Sequence, residues 1–415
     1  MLVSITYTVY SLALFFWSVC SIQYEGVAPM IRYLGAIALL CVFVWAVWII
    51  DEKKQTYQGV LFLSVFTNLG LAVAYRCTSN EAQAFHFSDF NNTYAGQTLI
   101  MTAIFISMFC LVRFTRIYKT KVWNLAAGVG ILVVAYGARL TGERIGGSYL
   151  YFRKIMVFSC VISLFPFIAS YFLSRKEEAY VKGNVKYISW NLCILLLYTC
   201  SLYLASALNK EYGLVFIIGA VTCVLFYLRC KSLLLKVFYT GVCTAGGLIA
   251  GEFVHHIRDR VQLWFHPELA KKTEMMKAES VLYIFRYIKN IGWYSRGIGN
   301  LSSKRIPTLR SDHVLLTILN DYSFLLLCLI LLLSVLLVRY LLICPRLDLY
   351  DYYLNLSIAL TIGFMILLDI GSVSGSFLQA GLGLPWISMG GNNNLAFTAL
   401  LATHCGIAAK GDDTT

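Results

Sequence analysis

Apolar residues in this chain neither alternate with polar ones, as in a half-buried strand, nor gather into one stripe of a water-facing helix. They run together for about twenty residues at a time, the length that spans a bilayer core as a helix. Such stretches fall near 3–22, 31–50, 57–75, 97–112, 122–138, 154–173, 187–207, 213–228, 233–252, 313–343, 352–372 and 385–408. The pattern predicts an all-α fold, a polytopic integral membrane protein of about 12 transmembrane helices. It lapses once at length, over 253–311, which predicts a large loop between helices 9 and 10. This is one membrane domain, 1–415, with no Pro/Gly/Ser-rich linker, internal repeat or low-complexity tract.

Composition supports this reading. Hydrophobic residues make up 59% and charged residues 13%, with a mean hydropathy of +0.71, whereas a soluble domain is about a quarter charged. Lys and Arg set the orientation, because short cytoplasmic loops collect them. With the N-terminus inside, the inner loops hold Lys53 and Lys54; Arg113, Arg116, Lys119 and Lys121; Arg175, Lys176, Lys182 and Lys186; Arg229, Lys231 and Lys236; and Arg339 and Arg346. The first outer loop has none before Arg32, the loop after Tyr75 has only Arg76 and the one around Ser374 has none. Both termini are therefore expected in the cytoplasm and the large loop outside. The net charge of +13 is spread over membrane flanks and needs no nucleic-acid partner. The first apolar run lacks a basic leader and a small-residue cleavage site, so it reads as a retained helix. Most of the thirteen cysteines sit within apolar runs, where Cys acts as a small hydrophobe. Their spacing offers neither a disulfide framework nor a zinc site.

An ionisable residue at a membrane helix is costly unless it has work to do, which singles out Asp312, placed just before the tenth apolar run. Read alone, it is also a good N-cap. Other features invite similar double readings. Glu211 opens a helix, where a carboxylate complements the dipole. Arg144, Lys154, Arg258 and Arg260 flank outer helix ends and suit either a pyrophosphate or lipid headgroups. The stretch Gly292-Trp293-Tyr294-Ser295-Arg296-Gly297-Ile298-Gly299-Asn300 exposes backbone amides beside a cation. In the loop, Glu252–Gln262 extends a helix, and Glu268–Lys289 has the mixed character of a helix lying in the interface. Further on, Leu384-Pro385-Trp386-Ile387-Ser388-Met389-Gly390-Gly391-Asn392-Asn393-Asn394 predicts a bent or broken membrane helix, with Asn side chains serving freed backbone groups.

Taken in order, these motifs resemble those of the SEDS family, the FtsW/RodA/SpoVE peptidoglycan polymerases. Pro307-Thr308-Leu309-Arg310-Ser311-Asp312-His313 is similar to the family's Pro-Glu-x-His-Thr-Asp-Phe, whose acid is catalytic. Gly137-Ala138-Arg139 with Arg144 and Lys154, Glu211-Tyr212-Gly213, Arg260 to Pro267, and the glycines around Arg296 resemble its other segments. Leu319-Asn320-Asp321 stands where the family has Gly-Glu-Glu, Asp369 stands for an Asn, and the Pro385 to Gly391 run is the most specific match. Ser148-Tyr149-Leu150-Tyr151 replaces the family's Gln-Pro-Ser-Glu.

The resemblance implies a glycosyltransferase that polymerises lipid II into glycan strands during division, elongation or sporulation. It also implies a bacterial inner-membrane location, a divalent cation (Mg or Mn), a class B penicillin-binding protein as partner, and no organic cofactor. Asp312 is the expected general base. The expected substrate-binding residues are Arg144, Lys154, Glu211, Arg258, Arg260, Arg296, Gly297, Gly299, Asp321, Ser388, Gly390 and Gly391, while any metal ligands stay unassigned. The family core is expected over 97–408, with the helices of 1–76 partly additional to it. Two other readings remain open: a flippase or transporter of lipid-linked sugars, which paired broken helices would favour, and another lipid-linked polysaccharide polymerase of the O-antigen type.

Overall fold

The computed structural model describes residues 2–20, 28–50, 54–79, 94–141, 144–145, 148–149, 151–152, 155–175, 181–182, 185–186, 190–209, 211–230, 232–253, 258, 261–262, 264–265, 313–343, 348–377, 383–388 and 391–412. Within them run α1 (Leu2–Cys20), α2 (Ala28–Ile50), α3 (Lys54–Ser79), α4 (Tyr94–Phe114), α5 (Lys121–Thr141), α6 (Val157–Ser174) and α7 (Trp190–Asn209). They continue with α8 (Tyr212–Arg229), α9 (Leu233–Phe253), α10 (Val314–Asp321), α11 (Phe324–Leu342), α12 (Leu349–Ser374) and α13 (Gly391–Asp412). All except α10 are long, and these twelve long helices correspond to the apolar runs of the sequence. Between α5 and α6, two-residue ladders pair β1 (Arg144–Ile145) with β2 (Ser148–Tyr149) and β3 (Tyr151–Phe152) with β4 (Ile155–Met156). A third joins β5 (Val181–Lys182) to β6 (Val185–Lys186) between α6 and α7.

Two apolar runs are interrupted in a way that hydrophobicity alone does not reveal. The run over 313–343 is not one helix: Tyr322 closes α10 by donating to the Ile318 carbonyl, and Ser323 is fully extended (φ 171, ψ 166). The Ser323 hydroxyl then accepts from Leu326 N at 3.1 Å and caps α11. The run over 385–408 begins with a turn at Pro385–Ile387, and its helix starts only at Gly391. Both interruptions lie among apolar residues, so the hydropathy pattern passes over them.

Burial separates the inner helices from the lipid-facing ones. The apolar windows of α3, α6 and α12 are 72%, 67% and 67% buried, against 22% for α4. One of the two least apolar long helices, α13, carries Asn394, Thr398, Thr403 and His404 in its interior positions. It packs mainly on α4 and also touches α3, α6 and α12. A side chain at Gly406 would come within 2.9 Å of Val112 and 3.1 Å of the Phe109 carbonyl, so the small residue permits the close α4–α13 crossing. Residues such as Leu233, Leu234, Phe238, Leu325 and Val335 are exposed, as a lipid-facing surface requires.

Hydrogen bonds define the two ends of the bundle. At one end a 3-10 turn, Ile117–Lys119, docks onto the start of α12. Lys119 Nζ bridges Asp348 and Asp351 at 2.5 Å each, Tyr118 donates to Asp351 at 3.0 Å, and Lys410 donates to the Thr115 carbonyl at 2.6 Å. Burial would raise the Asp348 carboxyl, but the Asp351 backbone N–H and the Lys119 ammonium hold it below its usual range. Tyr340, near the end of α11, donates to the Gln55 carbonyl at 2.7 Å. At the other end, Ser159 at the start of α6 donates to Asn393 Oδ1 at 2.8 Å, and Trp264, after α9, donates to the Gly375 carbonyl at the end of α12 at 2.7 Å. Gly375 adopts the left-handed conformation (φ 76) that ends α12.

Candidate active site

Ser388 and Gly391 flank that second end, next to Asn393 on Ser159, and Arg258 lies in the segment that reaches it through Trp264. Arg144 lies in β1, paired with Tyr149. Glu211 is half-buried before α8 and makes no side-chain cap bond, while its backbone N–H reaches the Ser206 carbonyl at 2.9 Å. Its place before α8 is the dipole-complementing position expected of it. Arg258 is exposed, just beyond α9, and helical backbone recurs at Val261, Gln262, Trp264 and Phe265, in line with the helical extension expected there. Ser388 is buried in the turn before α13, and Gly391 opens that helix. Asp312, Lys154, Arg260, Arg296, Gly297, Gly299 and Gly390 lie outside the described residues, as does the interfacial helix expected over Glu268–Lys289.

His313, immediately after Asp312, is 5% exposed and starts α10 through bonds to its carbonyl from Leu316 and Thr317. Every residue of α10 is buried. With eight residues the helix rises about 12 Å, all of it among buried residues, before it breaks. Asp321 sits at its last position, 1% exposed, accepting from Asn320 Nδ2 at 2.6 Å. Ionisable groups at such depth mark functional positions. Across the bundle Asp369, on α12, is also fully buried. The sequence showed it only as a replacement for an amide, and its burial is what brings it to notice.

The second interruption is built around one amide. Trp386 is a non-glycine residue with positive φ (61), a conformation costing about 1–3 kcal/mol unless its surroundings hold it. Its backbone N–H donates to Asn394 Oδ1 at 2.9 Å, and Asn394 Nδ2 donates to the Ser388 carbonyl at 2.8 Å. The Trp386 indole donates to Thr398 at 3.0 Å and lies between Phe66 and Phe397. The freed backbone groups are thus served by an Asn side chain, as the sequence predicts.

A family model described as "Cell cycle protein", FtsW/RodA/SpoVE, matches residues 56–410. The chain belongs to this family. The match begins in α3, so α1 and α2 precede it. Among curated relatives, the probable peptidoglycan glycosyltransferase FtsW of Tolumonas auensis is 21% identical over 86% of this chain and 94% of its own length. The peptidoglycan glycosyltransferase RodA of Mycobacterium leprae is 27% identical over 47% of this chain and 42% of its own length. Among solved structures, a chain from a peptidoglycan synthase complex superposes with a TM-score of 0.64 at 17% identity, covering 85% of this chain and 97% of that one. The Thermus thermophilus rod shape determining protein RodA gives 0.55 at 14% identity, covering 85% and 96%. These superpositions establish the shared fold.

Proposed function

We propose that the chain is a peptidoglycan glycosyltransferase of the bacterial inner membrane that polymerises lipid II, the activity carried in the names of its FtsW and RodA relatives. The observation that carries this reading is the family match over 56–410, which includes α10, the buried helix that starts directly after Asp312–His313. In this proposal Asp312 takes the proton from the acceptor sugar hydroxyl as that oxygen bonds to the donor's anomeric carbon and the bond to undecaprenyl pyrophosphate breaks. Arg144, Lys154, Arg258, Arg260 and Arg296 offset the charge developing on the leaving group. Arg296 with Gly297 and Gly299, and Ser388 with Gly390 and Gly391, line the donor's path; Glu211 and Asp321 orient it. The partner is a class B penicillin-binding protein, since the related synthase complex coordinates polymerization with crosslinking.

Among the described residues no three His, Cys, Asp or Glu side chains come together; the proposal includes a divalent cation, Mg or Mn, that would offset charge on the leaving pyrophosphate.

The two helix interruptions, at Tyr322–Ser323 and at Pro385–Ile387, also favour a second reading, because transporters build midplane sites from paired broken helices. One experiment separates the two. Purified protein is given labelled lipid II in detergent, with and without the partner and with Mg, Mn or EDTA, and glycan chains are resolved. Polymer is expected from the parent, with a loss of at least about 10²-fold for Asp312→Asn, the size expected of a positioned general base. If a folded parent makes no polymer under any condition, the transport reading takes its place; if Asp312→Asn matches the parent, Asp312 is only a helix cap.

A further inference from the structure

A groove of about 480 Å3 runs between α3 and α11, away from the candidate active site. Its upper walls are apolar: Leu61 and Val65 from α3, Leu333 and Leu336 from α11. At its other end stand Gln58 and the exposed Arg339, with Ile343 at the edge. The Tyr340 side chain closes the groove from behind, with its ring 5.7 Å from that of Phe62 and its hydroxyl on the Gln55 carbonyl. From Gln58 to Val65 the helix rises about 10 Å, so the groove changes from polar to apolar over the depth separating a headgroup region from acyl chains.

The polar end is the end of the bundle that also gathers Lys119 and Lys410. This is the cation-rich end, which the Lys and Arg distribution turns toward the cytoplasm. Basic pockets between membrane helices on that side suit anionic lipid headgroups, and an Arg fork suits a phosphate oxygen pair.

We propose that this groove is a binding site for an anionic glycerophospholipid of the cytoplasmic leaflet, its phosphate against Arg339 and Gln58 and one acyl chain along Leu61, Val65, Leu333 and Leu336. The site is independent of the glycan chemistry, which lies at the opposite end. A bound lipid there joins α3 to α11, two helices that otherwise meet chiefly through Tyr340.

Native mass spectrometry of the full chain tests this, with phosphatidylglycerol and phosphatidylcholine of identical acyl chains competing at equal concentration. The parent should retain phosphatidylglycerol in roughly five-fold preference, the effect of one basic residue on an anionic headgroup. Arg339→Gln should bring the two lipids to near parity. Leu336→Trp, a lipid-facing change that fills the groove, should lower retention of both. Arg113→Gln, which removes another cation at the same end of the bundle, should leave the preference intact. The proposal is overturned if Arg339→Gln keeps the parental preference, if Arg113→Gln lowers it equally, or if Leu336→Trp retains both lipids as the parent does. It also fails if a second copy of the chain, rather than lipid, is retained in an Arg339-dependent manner.

Discussion

Asn394 holds Trp386 in its left-handed conformation by accepting from one backbone group and donating to another, both in a buried turn. Replacing it with Ala leaves the Trp386 N–H and the Ser388 carbonyl without that partner, at roughly 1–3 kcal/mol for each buried group. Asn394→Ala should therefore lower the melting temperature in detergent clearly, while Asn392→Ala, at the first turn of α13, should change it little. Equal effects would show that the turn is held by Trp386 packing instead. The sequence displayed three consecutive Asn residues after a Gly pair, enough to expect amide partners for a broken helix. It did not show which Asn serves, because that depends on where α13 starts: with Gly391 as first residue, Asn394 faces back over the turn while Asn393 reaches Ser159 on α6. Asp321 was visible by its motif spacing, whereas Asp369 gains significance only from burial.

At the scale of elements, the longest apolar run concealed the most consequential break. Residues 313–343 read as one helix because hydrophobicity continues across Tyr322 and Ser323, and a single extended residue leaves no trace in the pattern. The polar staple at the opposite end was equally hidden, since Lys119 and Asp351 are far apart in sequence. Asp351, with its side chain 9% exposed, depends on Lys119 and Tyr118 for its partners. Lys119→Met should destabilise by about 1.5–3 kcal/mol, the range for hydrogen bonds to a charged group, and Lys119→Arg should restore part of the loss. A melt of Lys119→Met indistinguishable from the parent would show the staple to be idle. Asp348 contributes differently with pH. Its folded carboxyl lies below the ordinary value of 3.8, so its stabilisation is complete above that value and fades only as pH falls through the lower folded one. Melting temperatures between pH 7 and 5 should not move on its account, and a drop that Asp348→Asn abolishes in that window would contradict the assignment.

For the whole molecule, helix number and membrane class were legible from run length, and the family from the order of its motifs. Orientation rests on the Lys and Arg asymmetry alone. Cys at the exposed Ser376, in an otherwise Cys-free background, should react with an impermeant maleimide in intact spheroplasts, and Cys at the exposed Lys121 should not; the reverse pattern would invert the topology. The helices α1 and α2 present a different problem, because the family match begins only at residue 56. Yet α1 is bonded into the bundle: Ser4 and Tyr57 share a hydrogen bond of 2.8 Å, and Tyr7 donates to the Ser64 carbonyl at 3.2 Å. Ser64 is buried on α3, and its carbonyl has the Tyr7 hydroxyl over it, a polar contact that lipid would replace poorly. Removing residues 1–51 should therefore lower the melting temperature markedly, while glycan made per folded molecule stays near the parental level. Loss of polymerisation in molecules that remain folded would show instead that α1 and α2 shape the active site, extending the catalytic unit beyond the family core.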